Sequence, residues 1–192
     1  PCVLPICKDT FEGLKEAVSA AVREYDFVIT TGGAANGDFD FIKAVVSDLG
    51  ELKMSTVNMR PGKAQTFGIV EGTPVFGLPG NPAAAYIGFE TLIRPALRKM
   101  QGFTCFDRPR ISAKLSKDVK KKDPRRIYLR ATMVKDEAGD FIVTPDKNQS
   151  SGSFGVIQHS TCLAIMPEGL ESKATGDEVR CILLDVPEEV VL

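Results

Sequence analysis

A chain of 192 residues, 43% hydrophobic and 26% charged, has apolar material for one large core or two small ones and does not have the composition of a disordered segment. Its 24 Lys and Arg against 25 Asp and Glu leave a formal net charge of −1, so no overall field recruits nucleic acid or an anionic membrane. Cysteines at 2, 7, 105, 162 and 181 are odd in number and form no C-x-x-C, and His159 is the single histidine; this excludes a disulfide framework and a zinc site and fits reduced thiols in the cytoplasm.

Residues 1–8 read as the end of a strand and a loop, the expectation for a piece of a longer protein. No signal peptide opens the chain, and no apolar run reaches the roughly 20 residues of a membrane span. A helix is predicted over 10–24, with Asp9 and Glu12 at capping-box spacing and Phe11, Leu14, Val18, Ala21 and Val22 on one face. The β-branched run 27–31 predicts a strand buried on both faces. Glycines then lead into a helix over 38–49, with Gly50 as its stop. Strands follow near 53–58, 65–70 and 73–78, the last two joined by a Glu71-Gly72 hairpin turn. A helix over 82–101 takes Pro82 at its first position, a kink at Pro95 and an end at Gly102. This order describes an α/β sandwich, three layers around a mostly parallel sheet. Beyond a linker at 103–109 there is no helical periodicity. Short strands near 110–115, 127–134, 141–144, 162–166 and 179–186 predict a small all-β barrel or sandwich. The basic run 117–122 reads as a solvated turn. The domains are therefore expected at 1–102 and 103–192.

Three motifs carry chemistry. In Thr31-Gly32-Gly33-Ala-Ala-Asn-Gly37-Asp38-Phe39-Asp40 a strand ends, glycines permit close approach, and a helix opens. The carboxyl end of a strand beside a helix N-terminus is a site for anions. Asp38 and Asp40 either cap that helix or, with phosphate oxygens, hold Mg²⁺. The turn Pro79-Gly80-Asn81-Pro82 also follows a strand and opens a helix, so it is expected on the same sheet edge, as a stiff connection or a ligand-facing turn. Arg60-Pro61-Gly62-Lys63 places two cations about a turn, which serve as surface charges or as an oxyanion clamp.

In this order and spacing the motifs resemble molybdopterin molybdenumtransferase, the family that includes the catalytic domain of gephyrin. The resemblance covers nearly the whole chain and implies an α/β molybdopterin-binding domain followed by a small all-β barrel. It implies insertion of molybdate into adenylylated molybdopterin with release of AMP in a Mg²⁺-dependent step, by a protein whose full-length form is a homodimer. On that basis Asp40 matches the family's essential aspartate and Asp38 the acid beside it. Arg60 and Lys63 match the basic pair linked to molybdate, and Thr31, Gly32, Gly33, Gly37, Pro79, Gly80, Asn81 and Pro82 match the loops around the pterin ligand. Arg125-Arg126-Ile-Tyr-Leu-Arg130 resembles the family's Arg-x-Glu-Phe-x-Arg strand, and Gln149-Ser150-Ser151-Gly152 its Ser-containing loop, so Arg125 and Ser151 join the binding set.

The chain departs from the family at Ala35 and Ala84, where Ser is usual, and at Ile127, where an acid is usual. The family's upstream segments, a strand and helix of the α/β domain and two further domains, are not in this sequence. Two functional readings follow: a molybdenumtransferase, or a non-catalytic molybdopterin-binding carrier, sensor or scaffold. Both take small molecules as partners, with no nucleic acid and no membrane.

Overall fold

A computed structural model describes residues 1–32, 41–150 and 152–189. They form two compact units, one over Pro1–Val57 and Gly62–Ala85, the other over Asn58–Pro61 and Tyr86–Leu192.

In the first unit, helix α1 (Phe11–Glu24) begins where Thr10 Oγ1 accepts the Gly13 N–H at 3.2 Å. The cap is Thr10 and not Asp9, because its hydroxyl lies three residues ahead of an N–H that has no helical partner. Val18, Ala21 and Val22 of α1 pack with Ile42, Val45 and Val46 of α2 (Phe41–Leu49) against Val28, Val70 and Val75 of the sheet. Each fully buried side chain of the Val or Ile class contributes about 1.5–3 kcal/mol.

The sheet runs β1 (Val28–Thr31), β5 (Thr73–Leu78), β4 (Thr66–Val70), β2 (Glu51–Met54). Within the expected α/β class the sheet is mixed: β1 pairs parallel with β5, while β5–β4 and β4–β2 are antiparallel. The hairpin turn explains the reversal. Glu71 and Gly72 both take positive φ, 48° and 85°, the turn geometry that matches strand twist. Strand β1 is also less buried than its β-branched sequence predicts. Val28 is covered, but Ile29 is 42% exposed, because β1 has only β5 beside it among the described strands. Phe27, Phe67 and Phe76 stack, with centroids 5.3 and 4.4 Å apart.

The helical run that follows is α3 (Pro82–Gly88), a π-helical turn (Phe89–Ile93) and α4 (Arg94–Met100). Pro95 has no N–H and its ring collides with the carbonyl four residues back in a regular helix. The wider turn ahead of it replaces the expected simple kink.

In the second unit, β7 (Arg126–Lys135), β8 (Phe141–Pro145), β6 (Arg110–Leu115), β10 (Glu178–Leu183) and β9 (Cys162–Met166) follow one another in the sheet. The pairing of β9 with β7 closes them into a five-stranded barrel, and β3 (Met59–Arg60) adds in parallel to β7. Its core alternates small Ala113, Ala131 and Ala164 with larger Leu115, Val143 and Met166. A helix that periodicity missed, α5 (Phe154–His159), has six residues, too few to print a repeat.

The segment 103–109 is a strap, not a free linker. Arg98 Nε donates to the Cys105 carbonyl at 3.1 Å, and Arg108 grips Glu90 at 2.9 and 3.3 Å. The basic run is not wholly solvated either: Lys121 is buried and its Nζ donates to the Gly169 carbonyl.

Candidate functional site

Strands β1 and β5 are parallel and in register, Thr31 opposite Leu78, so the chain leaves both at one edge of the sheet. The Gly32 N–H donates to the Leu78 carbonyl at 3.1 Å. A Cβ on Gly80 would stand 3.3 Å from Gly32 Cα, so the absence of a side chain lets the Pro79–Pro82 turn close on the glycine loop. Gly32 and the turn 79–82 therefore meet as the sequence predicts. Gly33, Ala35, Gly37, Asp38 and Asp40 lie outside the described residues, as does Ser151.

Pro79 is buried and Pro82 opens α3. Asn81 Oδ1 accepts the Ala84 N–H at 3.3 Å and the Asn81 carbonyl accepts from Ala85 at 2.9 Å. Asn81 is thus the cap that holds the turn, a role its side chain fills before any ligand arrives. Next to Thr31, Thr30 Oγ1 is buried and has no hydrogen-bond partner among the described residues. Beside Gly32 a Cβ would meet nothing within 4 Å among the described residues.

The Arg60–Lys63 turn reaches the same helix through Gly62. Gly62 has φ +97°, and a Cβ there would meet Gln65 Nε2 at 2.7 Å and the Ala84 carbonyl at 3.3 Å. Gln65, 1% exposed, donates to that carbonyl at 3.4 Å. The first turn of α3, with Ala84 buried, is therefore where Gly62 packs. The two cations separate. Lys63 belongs to the first unit, is exposed, and makes no salt bridge among the described residues. Arg60 belongs to the second unit, and its Nη1 donates to Asp123 Oδ2 at 3.1 Å.

Asp123 also takes Arg125, whose Nε donates to Oδ1 at 2.9 Å while its Nη1 reaches the Met59 carbonyl at 3.4 Å. The Arg125 side chain, then its backbone N–H, then Arg60 hold this carboxyl well below the usual carboxylate range. Asp123 escaped the sequence reading because one acid after a lysine run carries no spacing signal.

Arg130, the last residue of the barrel motif, is 1% exposed. Its Nη1 donates to the Ser150 carbonyl at 3.1 Å, and Gln149 Oε1 takes its Nε at 3.4 Å and its backbone N–H at 3.1 Å. Gln149 Nε2 returns a bond to the Arg130 carbonyl at 2.9 Å. Arg130 thus shapes the 146–150 loop from within, and burial pulls its pKa below the ordinary arginine value. Ile127, at the position of a usual acid, packs against the barrel core.

Comparison with known proteins agrees with this geometry. A family model described as "Probable molybdopterin binding domain" matches residues 2–99, and one described as "MoeA C-terminal region (domain IV)" matches 112–184. The chain is 35% identical over 188 residues to a molybdopterin molybdenumtransferase of Staphylococcus aureus (strain COL) and 34% identical over 188 residues to one of Staphylococcus epidermidis. Each alignment takes in 96% of this chain and 45% of the relative, so the chain spans about half the length of these relatives. Among solved structures, a molybdopterin biosynthesis MoeA protein from Pyrococcus horikosii superposes with a TM-score of 0.74 at 29% identity, covering 92% of this chain and 42% of that one. A molybdenum cofactor biosynthesis protein from Pyrococcus furiosus gives 0.69 at 26%, covering 92% and 55%. The chain belongs to the molybdopterin molybdenumtransferase family, of which it carries the molybdopterin-binding domain and the C-terminal domain.

Proposed function

We propose that this chain supplies the pterin-binding domain, over 1–102, and the barrel domain, over 103–192, of a transferase that inserts molybdate into adenylylated molybdopterin and releases AMP. The observation that carries this reading is the meeting of Gly32 with Gly80 at the carboxyl ends of two parallel strands. Backbone N–H groups at such an edge favour a phosphate. In this reading Thr31, Gly32, Gly33, Gly37 and the 79–82 turn cradle the pterin ligand, with Arg125 and Ser151 serving from the barrel. Lys63 and Arg60 hold molybdate, and Asp40 acts with Asp38 in holding Mg²⁺. Bound Mg²⁺ neutralises phosphate charge. The full-length protein is read as a cytoplasmic homodimer.

Calorimetric titration with AMP tests the reading. Mg²⁺ is expected to tighten binding to the wild type and to lose that effect in Asp40→Asn. Equal affinities in all four titrations would reduce the two acids to helix caps.

A second reading, a molybdopterin-binding carrier or scaffold without catalysis, is favoured by two observations. Ala84 offers no hydroxyl beside Gly62, and Arg60 is already neutralised by Asp123. Detectable AMP release from adenylylated molybdopterin, in a protein with the upstream domains, separates the enzyme from the carrier.

A further inference from the structure

The flank of the barrel carries a cavity of about 190 Å³ whose lining includes none of the residues assigned to the pterin and molybdate sites above. Two lysines, Lys117 and Lys147, line it with the chain's single histidine, His159, and with Thr132, Thr144 and Ser160, the last of which donates its hydroxyl to the Val156 carbonyl at 2.6 Å. The donors come from three separate connections, and each connection is pinned to a barrel strand. Ser116 N–H donates to the Val143 carbonyl at 3.0 Å, which sets Lys117 beside β8. Asp146 N–H donates to the Arg130 carbonyl at 2.9 Å, which sets Lys147 past the end of β8. Thr161 N–H donates to the Ala131 carbonyl at 3.0 Å, which sets His159 and Ser160 against β7. Thr132 and Thr144 are direct cross-strand partners and so share one face. The cavity is built by backbone bonds and needs no loop to close over it.

Its charge is the second observation. Three cations of the same unit sit beside carboxylates: Lys114 with Asp140, Arg126 with Glu168, Lys173 with Glu171. Among the described residues Lys117 and Lys147 have no carboxylate partner. The one acid in the lining, Asp146, spends an oxygen on the Asn148 N–H at 2.7 Å. Two ammonium groups with no salt bridge among the described residues, an imidazole and the Thr132 and Thr144 hydroxyls around a partly apolar floor of Ala131 and Pro145 suit a compact oxyanion.

We infer that this cavity binds a small phosphate, as the free inorganic ion or as a phosphate monoester. The inference does not rest on the molybdenumtransferase reading.

The test is amide chemical-shift mapping of the intact chain, titrated separately with inorganic phosphate and with glycerol 3-phosphate. Saturable shifts are expected at Thr132, Thr144, Lys147 and Ser160, and the tighter of the two ligands identifies the source. Lys117→Gln with Lys147→Gln should weaken binding at least tenfold, and Thr144→Val should weaken it without touching a charge. Lys135→Gln, an exposed lysine over the Phe141 ring, should leave it unchanged. The proposal fails if neither ligand saturates by roughly 10 mM, ten times a millimolar Kd. It also fails if the shifts gather at Gly32 and Gly80 instead, or if the double lysine variant binds like the wild type.

Discussion

Asp123 bonds both Arg60 and Arg125, and this divides the two cations of the Arg60–Lys63 turn into one held by a carboxylate and one with no salt bridge among the described residues. A dianion gains more from a cation that has no competing carboxylate. Lys63→Ala is therefore expected to raise the half-saturating molybdate concentration for cofactor formation tenfold or more, about 1.4 kcal/mol. Arg60→Ala should move it less, and restoring Ser at 35 and 84 together should lower it by less than Lys63→Ala raises it. The molybdate curves of these variants, in a protein with the upstream domains, check the ranking. A tenfold gain from the serines with an unmoved Lys63→Ala curve would reverse the assignment and bring the carrier reading forward. Gly50 shows how a residue's reason can differ from its sequence signal. It reads as a helix stop, yet its backbone is not left-handed; a Cβ there would lie 2.1 Å from the Ile69 carbonyl oxygen. Gly50→Ala should cost about 1–3 kcal/mol in urea unfolding, the range for overpacking. Gly155→Ala, with open space around it, should cost nothing.

At the scale of elements, the 146–150 loop depends on β7 through Arg130. Gln149 Oε1 and the Ser150 carbonyl both accept from this buried arginine, so removing it takes away the guanidinium bonds and leaves the loop only the backbone N–H of residue 130 on Gln149. Arg130→Met is expected to destabilise the chain by about 1–3 kcal/mol and to speed hydrogen exchange at the Ser150 amide before that of β9. Uniform acceleration over the whole barrel would mean that Arg130 supports the core and not the loop. The same dependence explains why a motif on a strand and a motif on a loop, 20 residues apart, behave as one. The helical run over 82–100 follows a related logic. Its start is local, a cap by Asn81 and a proline at the first position, whereas its π turn answers a proline further on.

At the scale of the second unit, an ionic network ties the helical run to the C-terminal segment. Arg94 reaches Glu188 at 2.6 Å and Arg98 reaches it at 3.5 Å, while Arg108 bonds Glu90 at 2.9 Å and donates to the Leu184 carbonyl at 2.6 Å. Burial pushes the Glu188 carboxyl up, but its own backbone N–H and the Arg94 and Arg98 guanidinium groups pull it further down, to below its ordinary value. A depressed carboxyl stabilises the fold fully above its unfolded pKa of about 4.3 and loses that contribution as pH falls through the folded value. Wild type should thus exceed Glu188→Gln in stability at neutral pH, and the gap should narrow as the solution is acidified below about pH 4.3. Denaturant midpoints of the two proteins across pH 7 to 3 are the measurement. A gap that stayed constant would assign the effect to shape and not to charge.

The sequence by itself determined what depends on neighbours along the chain. The amphipathic face of α1, the Glu71-Gly72 hairpin, the barrel strands and the order of the three motifs are all local patterns, and the family could be named from them. Short-range rules of period, capping and turn chemistry suffice for these. Tertiary structure alone decided that Arg60 pairs with Asp123, that Arg130 and not a loop residue shapes the 146–150 segment, and that Gly50 is needed for room. It also fixed the mixed sheet and the exposure of Ile29, because the number of neighbours a strand acquires is not written in the strand. Pairing, close approach and burial join residues 19 to 94 positions apart in this chain, and no short window along the sequence holds both partners at once.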